Sequence, residues 1–301
     1  MKSVLMIFID GVGIGKSDKE YNPFFKLGFK TFTKIFNTIP HLENPFLSTD
    51  SIILKPIDAN LGVDGLPQSG TGQVSIFCGV NAAEIVGQHF GPFPHSKTVD
   101  VLRDKNIFIE FLKRNKKVFF ANAYPKIFFD YLKSGKTRLS VTTLSCKLSG
   151  IRLNTATDVR RAKALTAEIT NERWNKKLNY NIPTISAKAA ARRLLRIASK
   201  SNFTLYEFFL TDHLGHGRIK DEFEKIHNNL DEFLLELLTK FDKQKMNIVV
   251  CSDHGNYEDL SVKGHTKNPA LFITAGSQSK NIADSVNDLT QIKSAIIKYC
   301  M

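Results

Sequence analysis

Ser3-Val4-Leu5-Met6-Ile7-Phe8-Ile9-Asp10-Gly11 opens the chain with a short, unbroken apolar run that ends at once in an acid and a glycine. Apolar residues without alternation mark a strand covered on both faces, as in a parallel sheet between two helical layers. Asp10 then stands at the C-terminal end of that strand, before a loop carrying Gly11, Gly13 and Gly15. Similar runs at 51–57, 117–122, 203–210, 247–251 and 270–274 read as further strands. Helical patterns lie between them. The clearest covers 219–241, where Phe223, Ile226, Leu230, Phe233, Leu234, Leu237, Leu238 and Phe241 recur at three- and four-residue steps. A second helix is expected over 74–85. Strands alternating with helices predict an α/β three-layer sandwich with a mainly parallel central sheet. The alternation becomes irregular over 125–183, where a short strand at 141–144 and a helix at 158–169 are expected. That segment reads as a small cap inserted into a discontinuous core formed by 1–124 and 184–301.

At 301 residues the chain can bury one large core without requiring a second full domain. It carries 42 Lys and Arg against 29 Asp and Glu, a formal charge of +13. Such a surplus attracts anions of any kind, so the charge alone does not choose among nucleic acid, anionic lipid and phosphorylated small molecules. The basic residues occur in short groups, such as Lys113, Arg114, Lys116 and Lys117, and solvated helix faces account for most of them. No RNA- or DNA-binding motif accompanies them, so no nucleic-acid partner is expected. Cys78, Cys146, Cys251 and Cys300 are far apart and form no CxxC pair, which argues against a zinc ribbon or disulfide framework and suits a reducing compartment. The first apolar run is too short for a signal-peptide core, and no run approaches a membrane span. A soluble, cytoplasmic protein is expected.

Acids and imidazoles follow three of the apolar runs. Asp10 follows the first, Asp212 and His216 follow 203–210, and Asp253-His254-Gly255-Asn256 follows 247–251, with His265 downstream after Gly264. In open α/β sheets the ligand crevice lies beyond the carboxyl ends of the strands, so these residues can converge although they are distant in sequence. A lone strand-end Asp is ordinarily a turn or capping residue. Three at one sheet edge would repel each other without cations. Mixed carboxylate and imidazole donors suit zinc or manganese better than a thiolate-selected metal. The turn Leu66-Pro67-Gln68-Ser69-Gly70-Thr71-Gly72-Gln73 places hydroxyls before a helix, whose N-terminus favours phosphate.

Phe8-Ile9-Asp10-Gly11, Ser69-Gly70-Thr71-Gly72-Gln73, Thr211-Asp212-His213-Leu214-Gly215-His216, Ser252-Asp253-His254-Gly255-Asn256 and Gly264-His265-Thr266-Lys267-Asn268-Pro269 together resemble the alkaline phosphatase superfamily, most closely its branch of cofactor-independent phosphoglycerate mutases and phosphopentomutases. The resemblance implies two divalent metals, manganese or zinc with magnesium as a third option. It assigns one to Asp212, His216 and His265 and the other to Asp10, Asp253, His254 and the nucleophile. That nucleophile stands four residues before a His in this branch. Gln73 replaces the His here, which points to Ser69, with Thr71 as the second candidate. The mutases carry a large second domain between nucleophile and Asp-x-x-x-His motif, whereas this chain has room only for a reduced cap. Arg138, Arg152, Arg160, Arg161 and Lys163 would supply phosphate contacts from it or simply face solvent.

The expected activity is phosphoryl transfer on a small phosphorylated substrate through a Ser or Thr phosphoenzyme, with water as the final acceptor in a phosphohydrolase. A phosphomutase of phosphoglycerate or phosphosugar type shares every motif and is the first alternative. A catalytically inactive basic binding protein on the same fold is an alternative of another class.

Overall fold

The computed structural model describes residues 2–136 and 138–301. Its centre is a seven-stranded sheet of β1 (Ser3–Ile9), β2 (Leu47–Ser48), β3 (Ile52–Ile57), β4 (Val118–Phe120), β5 (Phe203–Phe208), β6 (Met246–Cys251) and β7 (Ala270–Ala275), in the order β2-β3-β7-β6-β1-β5-β4. β1 pairs in parallel with both β5 and β6, and β4 extends β5 in parallel, while β7 runs antiparallel between β6 and β3. The strand that opens the sequence is therefore central, and every residue of it is buried. Its side chains divide between the two layers as the pleat requires. Leu5, Ile7 and Ile9 join one core cluster with Leu194, Leu230, Phe233 and Leu237, and Val4, Met6 and Phe8 join the other with Val74, Phe77, Phe108 and Ile292. The expected three-layer α/β sandwich is the observed fold.

The helices follow from their caps and apolar spacing. Ser186 caps Ala187–Ala198 by accepting from the Ala189 N–H at 3.2 Å, and Ala187, Ala190, Ala191, Leu194 and Ile197 give that helix one buried face. The helix expected over 219–241 occupies Phe223–Lys240, because Gly217 at φ 66° turns the chain before it and Phe241 leaves it in an extended conformation. The helix expected at 74–85 begins earlier, at Ser69, stops at Cys78 where Gly79 takes the left-handed conformation, and restarts as Ala82–Val86 under an Asn81 cap.

Two expectations in the 125–183 segment need correction. The strand at 141–144 is a helix, Val141–Leu148. Its β-branched run suggested a strand, but Ser140 caps the Thr143 N–H and the Ser145 hydroxyl bonds back to the Val141 carbonyl, so both polar side chains serve a helix. The helix expected over 158–169 is confined to Ala156–Arg160. Asp158 closes a capping box with Thr155 at its start, and Ala162 and Ile169 take positive φ beyond its end, which no continuing helix permits. Val141 and Cys146 belong to the core cluster around Phe8, whereas Val159, Ala164, Trp174 and Ile182 form a small cluster with Ala123.

Among the described residues no helix is long and apolar enough to cross a membrane, and all four cysteines are free and buried.

Candidate metal centre

The order β6-β1-β5 puts three C-terminal strand ends side by side, and the loop after each carries acids or imidazoles. Asp10 follows β1 directly. β5 leads into the short helix Leu210–Gly215, which places Asp212 in its first turn with His216 just beyond its end. β6 leads into Ser252-Asp253-His254, and all three of these side chains are fully buried. Ser69 arrives from a distant part of the chain as the first residue of the helix Ser69–Cys78, with the positive end of the helix dipole beneath it.

The donors fall into two adjoining groups. In the first, His216 Nε2 and His265 Nε2 lie 3.2 and 3.4 Å from Asp212 Oδ1 and 3.2 Å from each other. Each of these rings turns Nδ1 to a backbone carbonyl, His216 to Lys263 at 2.9 Å and His265 to Pro67 at 2.6 Å. A carbonyl only accepts, so Nδ1 carries the hydrogen in both and both Nε2 atoms present lone pairs, the arrangement in which a second interaction fixes the tautomer of a metal ligand. Two such lone pairs facing a carboxylate oxygen call for a cation. In the second group, His254 Nε2 lies 3.3 Å from Asp10 Oδ1, 3.6 Å from Asp253 Oδ2 and 2.9 Å from Ser69 Oγ, and Ser69 Oγ is 3.4 Å from Asp10 Oδ1. Donor atoms of Asp212, His216 and His265, and of Asp10, Asp212 and His254, lie within 4.8 Å of one another, so Asp212 stands in both sets. The rings of His254 and His265 stack at 3.7 Å between centroids and join the two groups.

Electrostatics describe the same cluster. Burial and the neighbouring charge of Asp253 hold the Asp10 carboxyl well above its ordinary range. Burial also opposes ionisation of Asp212, but while no cation takes the Nε2 lone pairs, the hydrogen bond that a protonated His265 would donate and the positive charge of His254 and His216 outweigh it and hold Asp212 low. Burial alone would lower His254, yet Asp253 and Asp10 together push it up to about 10. Packed carboxylates thus draw positive charge to this point, which divalent cations satisfy more fully than protons. The residues present fit a metal centre in donor type, tautomer and charge.

Every site residue expected from the sequence reaches this cluster except Thr71. Its hydroxyl donates to the Gln68 carbonyl at 3.3 Å and accepts from the Phe90 N–H at 3.2 Å, facing the supporting loop. Of the basic residues named for the cap, Arg152 is paired with Asp158 at 2.8 Å, and Arg160, Arg161 and Lys163 are exposed. Arg138 lies over the Phe93 ring at 4.7 Å, and the Phe93 carbonyl packs against Gly70, beside Ser69.

Sequence reading assigned no role to the residues that hold the donors in place. Gln73 is buried and aims Nε2 at Asp10 Oδ2 and Asp253 Oδ2, at 3.4 and 3.3 Å, while its Oε1 has no partner among the described residues. It bridges two acids at the position where the resemblance implies a His. Asn256 donates to Asp212 Oδ1 at 2.8 Å. Glu258 accepts from the N–H groups of Gly13 and Asn256, from Thr266 Oγ1 and from Asn268 Nδ2, tying the loop after β1 to the loop that carries His265. The Asp-His-Gly-Asn and His-Thr-Lys-Asn-Pro runs signalled Asn256, Thr266 and Asn268. Glu258 stands outside every motif. Arg218, also unmarked in sequence, brings a guanidinium nitrogen to 3.6 Å from Asp212 Oδ2.

Gly70 shows how tightly Ser69 is seated. A Cβ there would overlap the carbonyl oxygens of Phe93 and Phe90, which are backbone atoms and cannot swing aside. Gly70→Ala is therefore expected to cost about 2–4 kcal/mol or to displace the Ser69 turn. Thermal unfolding of the variant beside a Gly264→Ala control checks it, because a Cβ at Gly264 would meet open space. Equal melting temperatures for Gly70→Ala and the parent would refute the tight seat.

Comparison with known proteins identifies the family and the fold. A family model described as the Metalloenzyme superfamily matches residues 1–301. The 2,3-bisphosphoglycerate-independent phosphoglycerate mutase of Mycoplasmopsis pulmonis is 28% identical over 123 residues, which cover 39% of this chain and 24% of that protein. The chain thus matches only about a quarter of the length of that curated relative. Among solved structures, the alkaline phosphatase from the Antarctic bacterium TAB5 superposes with a TM-score of 0.54 at 14% identity, over 99% of this chain and 97% of that one. A protein of Pyrococcus horikoshii superposes with a TM-score of 0.53 at 15% identity, over 98% and 91%. Both share the fold. The chain belongs to the metalloenzyme superfamily, the alkaline phosphatase-like group whose sandwich it builds around this cluster.

Proposed function

We propose that this chain is a two-metal-dependent phosphohydrolase that moves the phosphoryl group of a small phosphomonoester first to Ser69 and then to water. The observation that carries the reading is the seat of Ser69, with its Oγ 2.9 Å from His254 Nε2 and 3.4 Å from Asp10 Oδ1 at a helix N-terminus, beside two convergent donor groups. Asp212, His216 and His265 would hold one cation, and Asp10, Asp253, His254 and Ser69 the other. Manganese or zinc suits these donors, with magnesium as the third option. Bound there, the cations would supply Lewis-acid stabilisation of phosphoryl oxygens and favour the deprotonated hydroxyl.

The protein's own part is positioning. His254 and Asp10 orient the Ser69 oxygen toward phosphorus. The Ser69 hydroxyl gives its proton to solvent, the Oγ–P bond forms as the bond to the leaving oxygen breaks, and that oxygen takes up a proton from solvent. Arg218 and the helix N-terminus would balance charge on the bound phosphate. Water then forms the new P–O bond as the Ser69 Oγ–P bond breaks, a proton from that water returns to Oγ through solvent, and inorganic phosphate leaves. Residues 125–183 serve as the reduced cap over a core of 1–124 and 184–301. The four free cysteines fit a cytoplasmic setting.

The 28% match to a phosphoglycerate mutase favours one second reading, recapture of the phosphoryl group by another hydroxyl of the same substrate. Chelated protein reloaded separately with manganese, zinc and magnesium, and offered a panel of phosphomonoesters, phosphosugars and phosphoglycerates, tests both. Release of inorganic phosphate with at least one metal is expected. An isomerised product without free phosphate would establish the mutase instead, and no turnover with any metal would defeat both.

A further inference from the structure

Next to the metal centre, on its β4–β5 side, lies a cavity of about 350 Å³ whose walls are almost wholly apolar, formed by Tyr124, Phe128, Trp174, Leu178 and Phe209. Pockets of this size with apolar walls and one or two placed polar groups take small organic ligands. The polar group here is Glu207. It is 6% exposed, and its Oε1 accepts from Thr142 at 3.0 Å, while no hydrogen bond reaches its other oxygen among the described residues. Burial, opposed by the Thr142 hydrogen bond and helped by the charge of Asp253, pushes the Glu207 carboxyl up to about 7. Such a group presents either a donor or an acceptor near neutral pH. Phe209 and Leu178 remain 36% and 39% exposed at the pocket, which leaves apolar surface in water unless something covers it.

The elements that line the pocket adjoin those that carry Ser69 and Asp212. Phe209 precedes Asp212 by three residues at the start of the helix Leu210–Gly215, so the two side chains share one helix face. Glu207 lies on the same sheet face as Phe203 and Leu205, which pack into the cluster that holds Val74 and Phe77 of the Ser69 helix. The helix Val141–Leu148, which supplies Thr142, contacts the Ser69 helix on that face. A larger groove of about 1240 Å³ passes His216, but lysines and acids such as Lys220, Asp221, Glu224 and Lys263 line much of it, and it lies more open to solvent. A planar apolar group gains far more from the smaller, more enclosed pocket.

We propose that this pocket takes the ring of the substrate's leaving group, which makes the substrates phosphomonoesters bearing a planar heteroaromatic ring, such as a nucleobase, with Glu207 meeting the ring's polar edge. The inference rests on the phosphohydrolase reading for its substrate, but the pocket can be tested without turnover. Trp174 is the chain's single tryptophan and lines the cavity, so its fluorescence reports occupancy directly. Titrating the metal-loaded protein with adenosine and uridine, which carry rings but no phosphate, is expected to change Trp174 emission saturably, and glycerol is not. In turnover, kcat/KM for the nucleoside monophosphates should exceed that for glycerol phosphate by tenfold or more, and Phe209→Ala should shrink that ratio by about tenfold. The partial exposure of Phe209 limits the effect of this variant on folding. If the nucleosides leave Trp174 emission unchanged and the ratio is near one, the pocket proposal is overturned. Saturable Trp174 binding with no phosphate released from any ester would uphold the pocket and overturn the phosphohydrolase reading alone.

Discussion

Ser69→Ala is expected to lower metal-dependent phosphate release by on the order of 10⁴-fold, whereas Thr71→Ala should fall less than tenfold. The two hydroxyls are two residues apart in one turn, and the sequence alone gave reason to weigh both. Their surroundings differ completely. Ser69 Oγ has an imidazole nitrogen at 2.9 Å and a carboxylate oxygen at 3.4 Å, while Thr71 Oγ1 is spent on the Gln68 carbonyl and the Phe90 amide. Thr71→Ala would lose only those loop bonds, at about 1 kcal/mol each. Acid-quenched protein after incubation with a phosphomonoester should carry a phosphoryl group in the parent and in Thr71→Ala, but not in Ser69→Ala. Mass spectrometry of the peptide containing both residues decides it, and phosphate retained in Ser69→Ala would move the nucleophile elsewhere. Unchanged melting temperatures in the three proteins would separate lost chemistry from lost structure.

Much of this site was legible because strand ends announce themselves. The apolar run before Asp10, and those that lead to Asp212 and to Asp253, set three groups of side chains at one sheet edge once the strands were read as parallel. Gly70, Gly255 and the Asp-His pairs gave local signals that survive translation into sequence. The supporting residues did not. Glu258 is one buried acid among many in the chain, and what makes it a tie is the meeting of two loops far apart in sequence, which no local pattern encodes. Gln73 appeared as a departure from the family, yet its bridging of Asp10 and Asp253 appears only when those carboxylates are packed together. The 141–148 and 156–160 helices failed for a related reason. β-branched propensity and apparent periodicity are weak where capping side chains, Ser140 in one and Asp158 in the other, decide where a short helix begins. The aromatic pocket at Glu207 combines residues from four separate stretches and had no sequence signature at all.

Asp212 offers the second large effect, and it separates a shared site from two independent ones. The resemblance to known phosphatases and mutases gives Asp212 to one metal with His216 and His265. The geometry also places it with Asp10 and His254, within the same 4.8 Å limit. Asn256 donates to Asp212 Oδ1 at 2.8 Å and Arg218 stands 3.6 Å from Oδ2, so the carboxylate is held from both sides, between the two groups. Removing it takes a negative charge from both groups at once. Asp212→Ala is therefore expected to lower bound metal from two equivalents to one or none and to reduce turnover by at least 10³-fold. His216→Ala, which loses a ligand of the first group only, should keep one equivalent and lose most activity. Metal content by elemental analysis after dialysis distinguishes the two variants, and thermal shift on adding manganese or zinc gives an independent reading, since a cation that binds only the folded state raises the melting temperature by mass action. Two tightly held equivalents in Asp212→Ala would show that the second group is complete without it, leaving Asp10, Asp253, His254 and Ser69 as a self-sufficient set.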